Sequence, residues 1–276
     1  MGIPLTRDSE PGTWNFFEQG DGPPLLLLHG LGASSFSWRG NIGPLSRRYR
    51  VLAPDLPGHG RSPAIPDGDY SLEGMLQGIV GFLDRRGIHQ AALAGNSLGG
   101  GLALMLARDY PERVSALVLL APAAALRRLP YIFYPLRLPG AGKLLATFLL
   151  RPWIIPFALR LIYHRRELIT PRVVAGYAGP FREPRRRLAL AALCRQAQIP
   201  PRAEIEAMLA RLRQPITIIW GQEDRILPVR QALWLKERLP RAEFHLLPEV
   251  GHAPQEEVPE TVNEIIIDFL TRSRNN

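Results

Sequence analysis

Five short apolar runs constrain this chain more than any other feature: Pro24–His29 (PLLLLH), Val51–Asp55 (VLAPD), Ala91–Asn96 (AALAGN), Val114–Leu120 (VSALVLL) and Ile216–Trp220 (ITIIW). Each stops at a turn-forming or polar group. Runs this short and unbroken read as strands buried on both faces, the condition of a parallel sheet covered by helices. Helical spacing lies between and after them. Leu98–Asp109 follows one run directly, and Val229–Arg238 and Val258–Leu270 follow the last, with Val262, Ile265, Ile266 and Phe269 as an inward stripe. Strand and helix in repetition predict an α/β fold with a doubly wound sheet.

The rhythm stops between Pro122 and Arg213. That segment holds 11 of the 27 prolines and only helical fragments: Gly142–Leu150, Phe157–Tyr163 and Arg186–Gln198. Prolines end or kink helices, so the pieces are short. The division expected is a first part of the α/β core over 1–122, a helical insertion over 123–213 and a second part of the core over 214–276. A chain of 276 residues can bury such a core. One cysteine, Cys194, excludes an intramolecular disulfide. The start, MGIPLTRDSEPGTW, lacks the basic and apolar regions of a secretory signal. The stretch Lys143–Tyr163 is broken by Arg151, Pro152, Pro156 and Arg160, short of the roughly 18 apolar residues of a membrane span. A soluble, cytoplasmic protein is the expectation.

The net charge of +9 invites a nucleic-acid reading, and its distribution argues against one. Residues 122–213 carry 17 basic and 4 acidic groups, while the rest of the chain carries 17 and 21. The excess sits in the insertion, and no helix-turn-helix, zinc-finger or RNP pattern accompanies it. Weak contact between this basic segment and a membrane surface stays open, as does the oligomeric state.

The strongest chemical signal is Gly95-Asn96-Ser97-Leu98-Gly99. It is a G-x-S-x-G between a predicted strand and a predicted helix, the context in which that motif exposes a nucleophile. The tight turn would lift the Ser97 hydroxyl above the sheet, and the helix behind it would aim its positive end at developing negative charge. A plain Gly-Ser turn is the competing reading. Two further loops weigh against that: Gly221-Gln222-Glu223-Asp224 after the Ile216–Trp220 run, and Val250-Gly251-His252 after Phe244–Leu247. His59, with Asp55 before it, reads as a structural turn above the sheet, and His29 as fixing the loop that follows it; His89, His164 and His245 have no partner at a useful spacing, and no cluster has metal-site spacing. The GLGAS stretch lacks the G-x-G-x-x-G of a dinucleotide loop. No metal and no cofactor are expected.

Taken in order, HGLGAS (His29–Ser34), DLPGHGRS (Asp55–Ser62), GNSLGG around Ser97, GQEDRILP (Gly221–Pro228) and GHAPQEEVPE (Gly251–Glu260) resemble the α/β-hydrolase superfamily, in its esterase, lipase and C–C hydrolase branch. The likeness spans nearly the whole chain. It implies a mostly parallel sheet with a helical cap inserted after the sixth strand, and a Ser–acid–His triad of Ser97, Asp224 and His252. Asp224 is preferred over its neighbour Glu223 on family position. Ser97 would attack, His252 would take its proton, and Asp224 would hold the imidazole in the right tautomer. The resemblance also implies an oxyanion hole made by the backbone N–H groups of Leu98 and Leu31, with Gly32 letting the backbone approach.

Serine at position 97 excludes the aspartate-nucleophile dehalogenases and epoxide hydrolases of this fold. Hydrolysis of small carboxylic esters through an acyl-enzyme leads. C–C hydrolysis of meta-cleavage-type diketones is the alternative; it shares Asn96, but the loop at His29 lacks a Gly-Pro-Gly and Ala253 stands where that group carries tryptophan. A cofactor-free perhydrolase and a non-enzymatic ligand receptor are further alternatives. The cap offers Leu144, Leu145, Phe148, Leu149, Trp153, Ile154, Ile155, Phe157, Leu159 and Ile162. They either form the cap's own core or roof an apolar acyl pocket, with Arg151, Arg160, Arg165 and Arg166 at the rim.

Overall fold

Along Pro24–Leu28, Leu25 and Leu27 pack to one side while Leu26 and Leu28 pack to the other, all fully buried. A strand alternates its side chains, so an unbroken leucine run demands cover on both faces. The computed structural model describes residues 6–7, 14–65, 68–124, 133–138, 140–148 and 150–274. Its strands are β1 (Thr6–Arg7), β2 (Asn15–Gln19), β3 (Pro24–Leu28), β4 (Arg50–Pro54), β5 (Ala91–Asn96), β6 (Val114–Leu120), β7 (Ile216–Gly221) and β8 (Glu243–Leu247). They form one sheet in the order β1-β2-β4-β3-β5-β6-β7-β8. β3 to β8 run parallel, and β1 and β2 join antiparallel at one edge. The fold is the α/β-hydrolase fold that the motifs imply.

One face is covered by α1 (Ile42–Leu45) and α12 (Pro259–Ser273), whose Ile42, Leu45, Val262, Ile266 and Phe269 meet Leu25, Leu27, Val51, Val118 and Ile219. The other is covered by α2 (Leu72–Arg85), α3 (Leu98–Asp109), α9 (Arg202–Arg211) and α10 (Val229–Arg238). Fully burying one such aliphatic side chain contributes about 1.5–3 kcal/mol. The short α11 (Pro254–Glu257) precedes α12.

Between β6, sixth in chain order, and β7 the described residues contain helices and no strand. These are α4 (Tyr134–Arg137), α5 (Ala141–Phe148), α6 (Ile155–Ile162), α7 (Pro171–Ala178), α8 (Pro184–Gln196) and α9. Their boundaries follow local chemistry. Pro156, Pro171 and Pro184 lie in the first turns of α6, α7 and α8, where a missing N–H costs nothing. Two small cores hold the segment: Ile155, Leu159, Tyr163, Val173 and Tyr177 in one, and Leu136, Ala146, Ala191 and Cys194 in the other.

Of the elements beyond the sequence expectation, β2, α2 and α7 show why they escaped it. β2 (NFFEQ) has two aromatics between polar ends; it lies between the two-residue β1 and β4 with its far end partly exposed, which leaves no unbroken apolar run. α2 has an inward stripe of Met75, Leu76, Ile79, Phe82 and Leu83, diluted by three glycines, Gly74, Gly78 and Gly81. Trp14 lies against Gly78, whose missing side chain makes the room. α7 is only eight residues long and starts on a Thr170 cap that accepts from the Val173 N–H.

Candidate active site

Ser97 sits between β5 and α3 with φ 52° and ψ −113°, a left-handed conformation that costs energy for a residue with a Cβ. The turn is that tight because both its flanks touch backbone. A Cβ on Gly95 would collide with the Gly99 carbonyl, and one on Gly99 would collide with the Leu28 carbonyl. The strain places Ser97 at the N-terminus of α3, where the first N–H groups lack intrahelical partners.

Asp224 and His252 meet directly. The His252 Nδ1 lies 2.7 Å from the Asp224 Oδ2, and both side chains are buried. The other carboxylate oxygen, Oδ1, accepts from the N–H groups of Ile226 (2.8 Å) and Leu227 (2.7 Å), so a local turn fixes the acid. Glu223 is exposed and contributes only its backbone N–H, donated to the Val250 carbonyl. Geometry therefore brings Asp224, and not Glu223, to the histidine. An Asp224 hydrogen bond to Nδ1–H leaves Nε2 to accept a proton.

Ser97 and His252 line one cavity of about 480 Å³, together with Leu31 and Leu98. No hydrogen bond joins Ser97 to His252 among the described residues, a looseness common before substrate binds. The backbone N–H groups of Leu31 and Leu98 have no backbone acceptor among the described residues. The glycine that lets their loop approach is Gly30, a correction to the expectation for Gly32. A Cβ on Gly30 would stand 3.3 Å from the Ser97 Cβ, whereas one on Gly32 would meet only Phe181 and Leu190 at ordinary contact distance, and Gly32 serves through its φ of 73°.

Several residues act on the site without having been singled out for it. The Asn96 Nδ2 donates to the carbonyls of Leu120 and His252, both at 3.1 Å, tying β6 to the histidine loop. The His252 N–H donates to the Ile162 carbonyl at the end of α6 (2.7 Å). Glu257 accepts from the N–H groups of Gly251, His164 and Arg165. Glu256 is buried in the cavity wall and bonded by Arg39, Tyr163 and Tyr177. Burial pushes its carboxyl above the usual range, against the pull of Arg39. The same burial raises both tyrosines. The sequence signal was the acidic pair in QEEVPE directly after the histidine.

His29 and Asp55 hold loops. The His29 Nε2 accepts from the Leu56 N–H (2.9 Å) while its Nδ1 meets the Gly30 carbonyl (2.8 Å). Asp55 accepts from the N–H groups of Ser35 and Arg61 and from Asn15.

Of the cap residues offered as a roof, Leu145, Ile154, Ile155, Phe157, Leu159 and Ile162 line the cavity. Leu144, Phe148 and Trp153 are exposed, and Leu149 lies outside the described residues. Of the four rim arginines, none lines the cavity. Along α3 the lining continues through Leu98, Gly101, Leu102, Met105 and Arg108, one helical stripe. Arg108 is the single arginine or lysine among the described lining residues, and it pairs with Asp109.

A serine on a strained strand-to-helix elbow, a buried acid–histidine pair and an apolar cavity on a parallel sheet define a class, and the comparisons agree with it. The alpha/beta hydrolase family model matches residues 25–265, and the chain belongs to that family. It is 32% identical to a 2-hydroxymuconate semialdehyde hydrolase of Pseudomonas putida over 267 residues, covering 94% of this chain and 91% of that one. Among solved structures it resembles a meta-cleavage product hydrolase from Pseudomonas fluorescens (27% identity, TM-score 0.80, 94% of each chain). It also resembles a thermophilic esterase from Thermogutta terrifontis (27% identity, TM-score 0.78, 98% and 97% of the two chains). The protein is a hydrolase.

Proposed function

We propose that this hydrolase cleaves carboxylic esters with apolar acyl chains through an acyl-enzyme on Ser97. The observation that carries the reading is the apolar cavity around Ser97 and His252. In the forward step the Ser97 Oγ attacks the ester carbonyl while its proton passes to the His252 Nε2. Asp224 stabilises the resulting imidazolium, and the N–H groups of Leu31 and Leu98 receive the oxyanion, each worth about 2.7–4 kcal/mol in the transition state. Collapse breaks the carbon–oxygen bond, and His252 gives its proton to the departing alcohol. Water then attacks the acyl-enzyme, His252 takes its proton, and the carboxylic acid leaves as Ser97 is reprotonated.

The second reading is C–C bond hydrolysis, favoured by the activities of relatives. One, from Burkholderia cepacia, is a 2-hydroxy-6-oxo-6-phenylhexa-2,4-dienoate hydrolase, 30% identical over 275 residues. A dienoate is a carboxylate, and a buried carboxylate calls for a cationic partner. Among the described lining residues the one arginine is Arg108, ten residues beyond Leu98 on α3, roughly 15 Å along the axis. This spacing supports the neutral ester. Parallel assays with p-nitrophenyl esters and a vinylogous diketone carboxylate separate the readings. Ester turnover lost in Ser97→Ala, with no diketone cleavage, is the expected result. Diketone cleavage exceeding ester turnover would reverse the assignment. A fluorophosphonate that leaves Ser97 unlabelled would remove both.

A further inference from the structure

Exposed apolar side chains are concentrated on one part of this protein. Of the eleven large ones exposed among the described residues, seven fall between positions 134 and 161. α5 turns Leu144 and Phe148 outward at i and i+4, 61% and 56% exposed. α6 does the same with Phe157 and Leu161, while Ile155 and Leu159 of the same helix are buried. Trp153, in the turn between the helices, is 54% exposed. Isolated exposed hydrophobes need no explanation, but a cluster of this kind marks a contact surface.

Two observations identify what it contacts. Between positions 134 and 161 every charged residue is basic: Arg137, Lys143, Arg151 and Arg160. The described residues hold no carboxylate paired with any of them, and Arg160 instead lies over the Phe157 ring at 5.7 Å. Docking against a second copy would press one basic face against another. An anionic surface neutralises it, and aromatic and leucine side chains beside snorkelling arginines suit the boundary between headgroups and acyl chains. The patch is also continuous with the active site, because Phe157 and Leu161 line the cavity that holds Ser97. α5 and α6 together have the composition of a membrane span, but they are bent by 78° to each other, and no single described helix is long and apolar enough to cross a bilayer. That shape suits lying on a bilayer.

We propose that α5, the Trp153 turn and α6 form a docking face for an anionic lipid surface, with the rim of the active-site cavity opening towards the lipid. The inference does not depend on which bond the enzyme cleaves. The test is co-sedimentation of the full chain with vesicles of phosphatidylcholine containing phosphatidylglycerol, against pure phosphatidylcholine. The expected result is binding to the anionic vesicles, a blue shift of tryptophan emission that Trp153→Phe removes, and weakening with added salt. The triple variant Leu144→Ser/Phe148→Ser/Trp153→Ser should bind at least tenfold more weakly and keep the turnover of a soluble short-chain p-nitrophenyl ester. Arg151→Glu/Arg160→Glu, which leaves the apolar face intact, should weaken binding as well. Failure to bind either vesicle would overturn the proposal, and so leave a soluble acidic protein as the partner to seek. Binding unchanged in the triple variant would overturn this face as the contact. Self-association that the triple variant abolishes, without vesicle binding, would make the occupant a second copy.

Discussion

At the scale of single residues, the site depends on side chains that position other side chains. Asp224 makes three hydrogen bonds, two of them to backbone, so its replacement by asparagine should keep the loop and spoil the pairing with His252. An amide can present its N–H to Nδ1, which stabilises the wrong tautomer. Asp224→Asn should lower kcat about 10⁴-fold, in the range such a change costs a triad. Glu223→Gln should stay within twofold of the parent. Equal losses in the two variants would remove Asp224 from its role. Asn96 offers a subtler case, since its amide bridges Leu120 and His252. Asn96→Ala should lower kcat with KM nearly unchanged and shift the acid limb of the pH–rate profile. A loss confined to thermal stability would make it merely structural.

At the scale of elements, α3 supplies both the nucleophile's helix terminus and a wall of the cavity. The stripe from Leu98 to Arg108 gives an apolar groove long enough for an extended acyl chain of medium length. Each methylene buried there contributes about 0.8 kcal/mol, so kcat/KM should rise from acetate through butyrate to octanoate. Gly101 faces this groove, and a Cβ there meets nothing nearer than 3.5 Å. Gly101→Leu should therefore fold, spare acetate and cut octanoate turnover more than tenfold. A chain-length profile unchanged in that variant would show that the acyl chain lies elsewhere. Elements buried on both faces were the legible ones: β3, β5, β6 and β7 carry unbroken apolar runs because nothing polar fits between two layers of helix. β2 was illegible because it lies one strand in from the sheet edge, half-buried along its far end, and needs no such run. α2 was obscured by glycines, one of which, Gly78, makes room for Trp14, 64 residues away in the chain. Within the site, Ser97, Asp224 and His252 could be named because their loops carry motifs. Asn96 and Ile162 act through contacts with backbone that nothing local in the sequence records, while Glu257 is announced only by the acidic pair that follows the histidine.

At the scale of the whole molecule, two buried histidines tie stability to pH. The rings of His29 and His59 lie 5.1 Å apart beneath the loops after β3 and β4. Burial, with repulsion from His29 adding to it, pulls His59 down to about 3 from the ordinary 6.5. His29 is likewise lowered by burial, against the pull of Asp55. Below about pH 6.5 the unfolded chain takes up protons that the folded chain refuses, so stability is full above that pH and declines as pH falls towards 3. One such group removes about 1.4 kcal/mol per pH unit in that window. Urea midpoints should fall between pH 7 and pH 5, and His59→Gln should flatten the slope. A slope identical in the variant would locate the acid sensitivity elsewhere.

The bond from the His252 N–H to the Ile162 carbonyl, with Glu257 clasping the N–H groups of His164 and Arg165, also sets how the roof can move. It acts as a rivet between cap and catalytic loop. A cap that lifted as one rigid plate would tear out the backbone support of His252 itself. Any opening of the roof that spares this bond leaves the end of α6 pinned to the histidine loop.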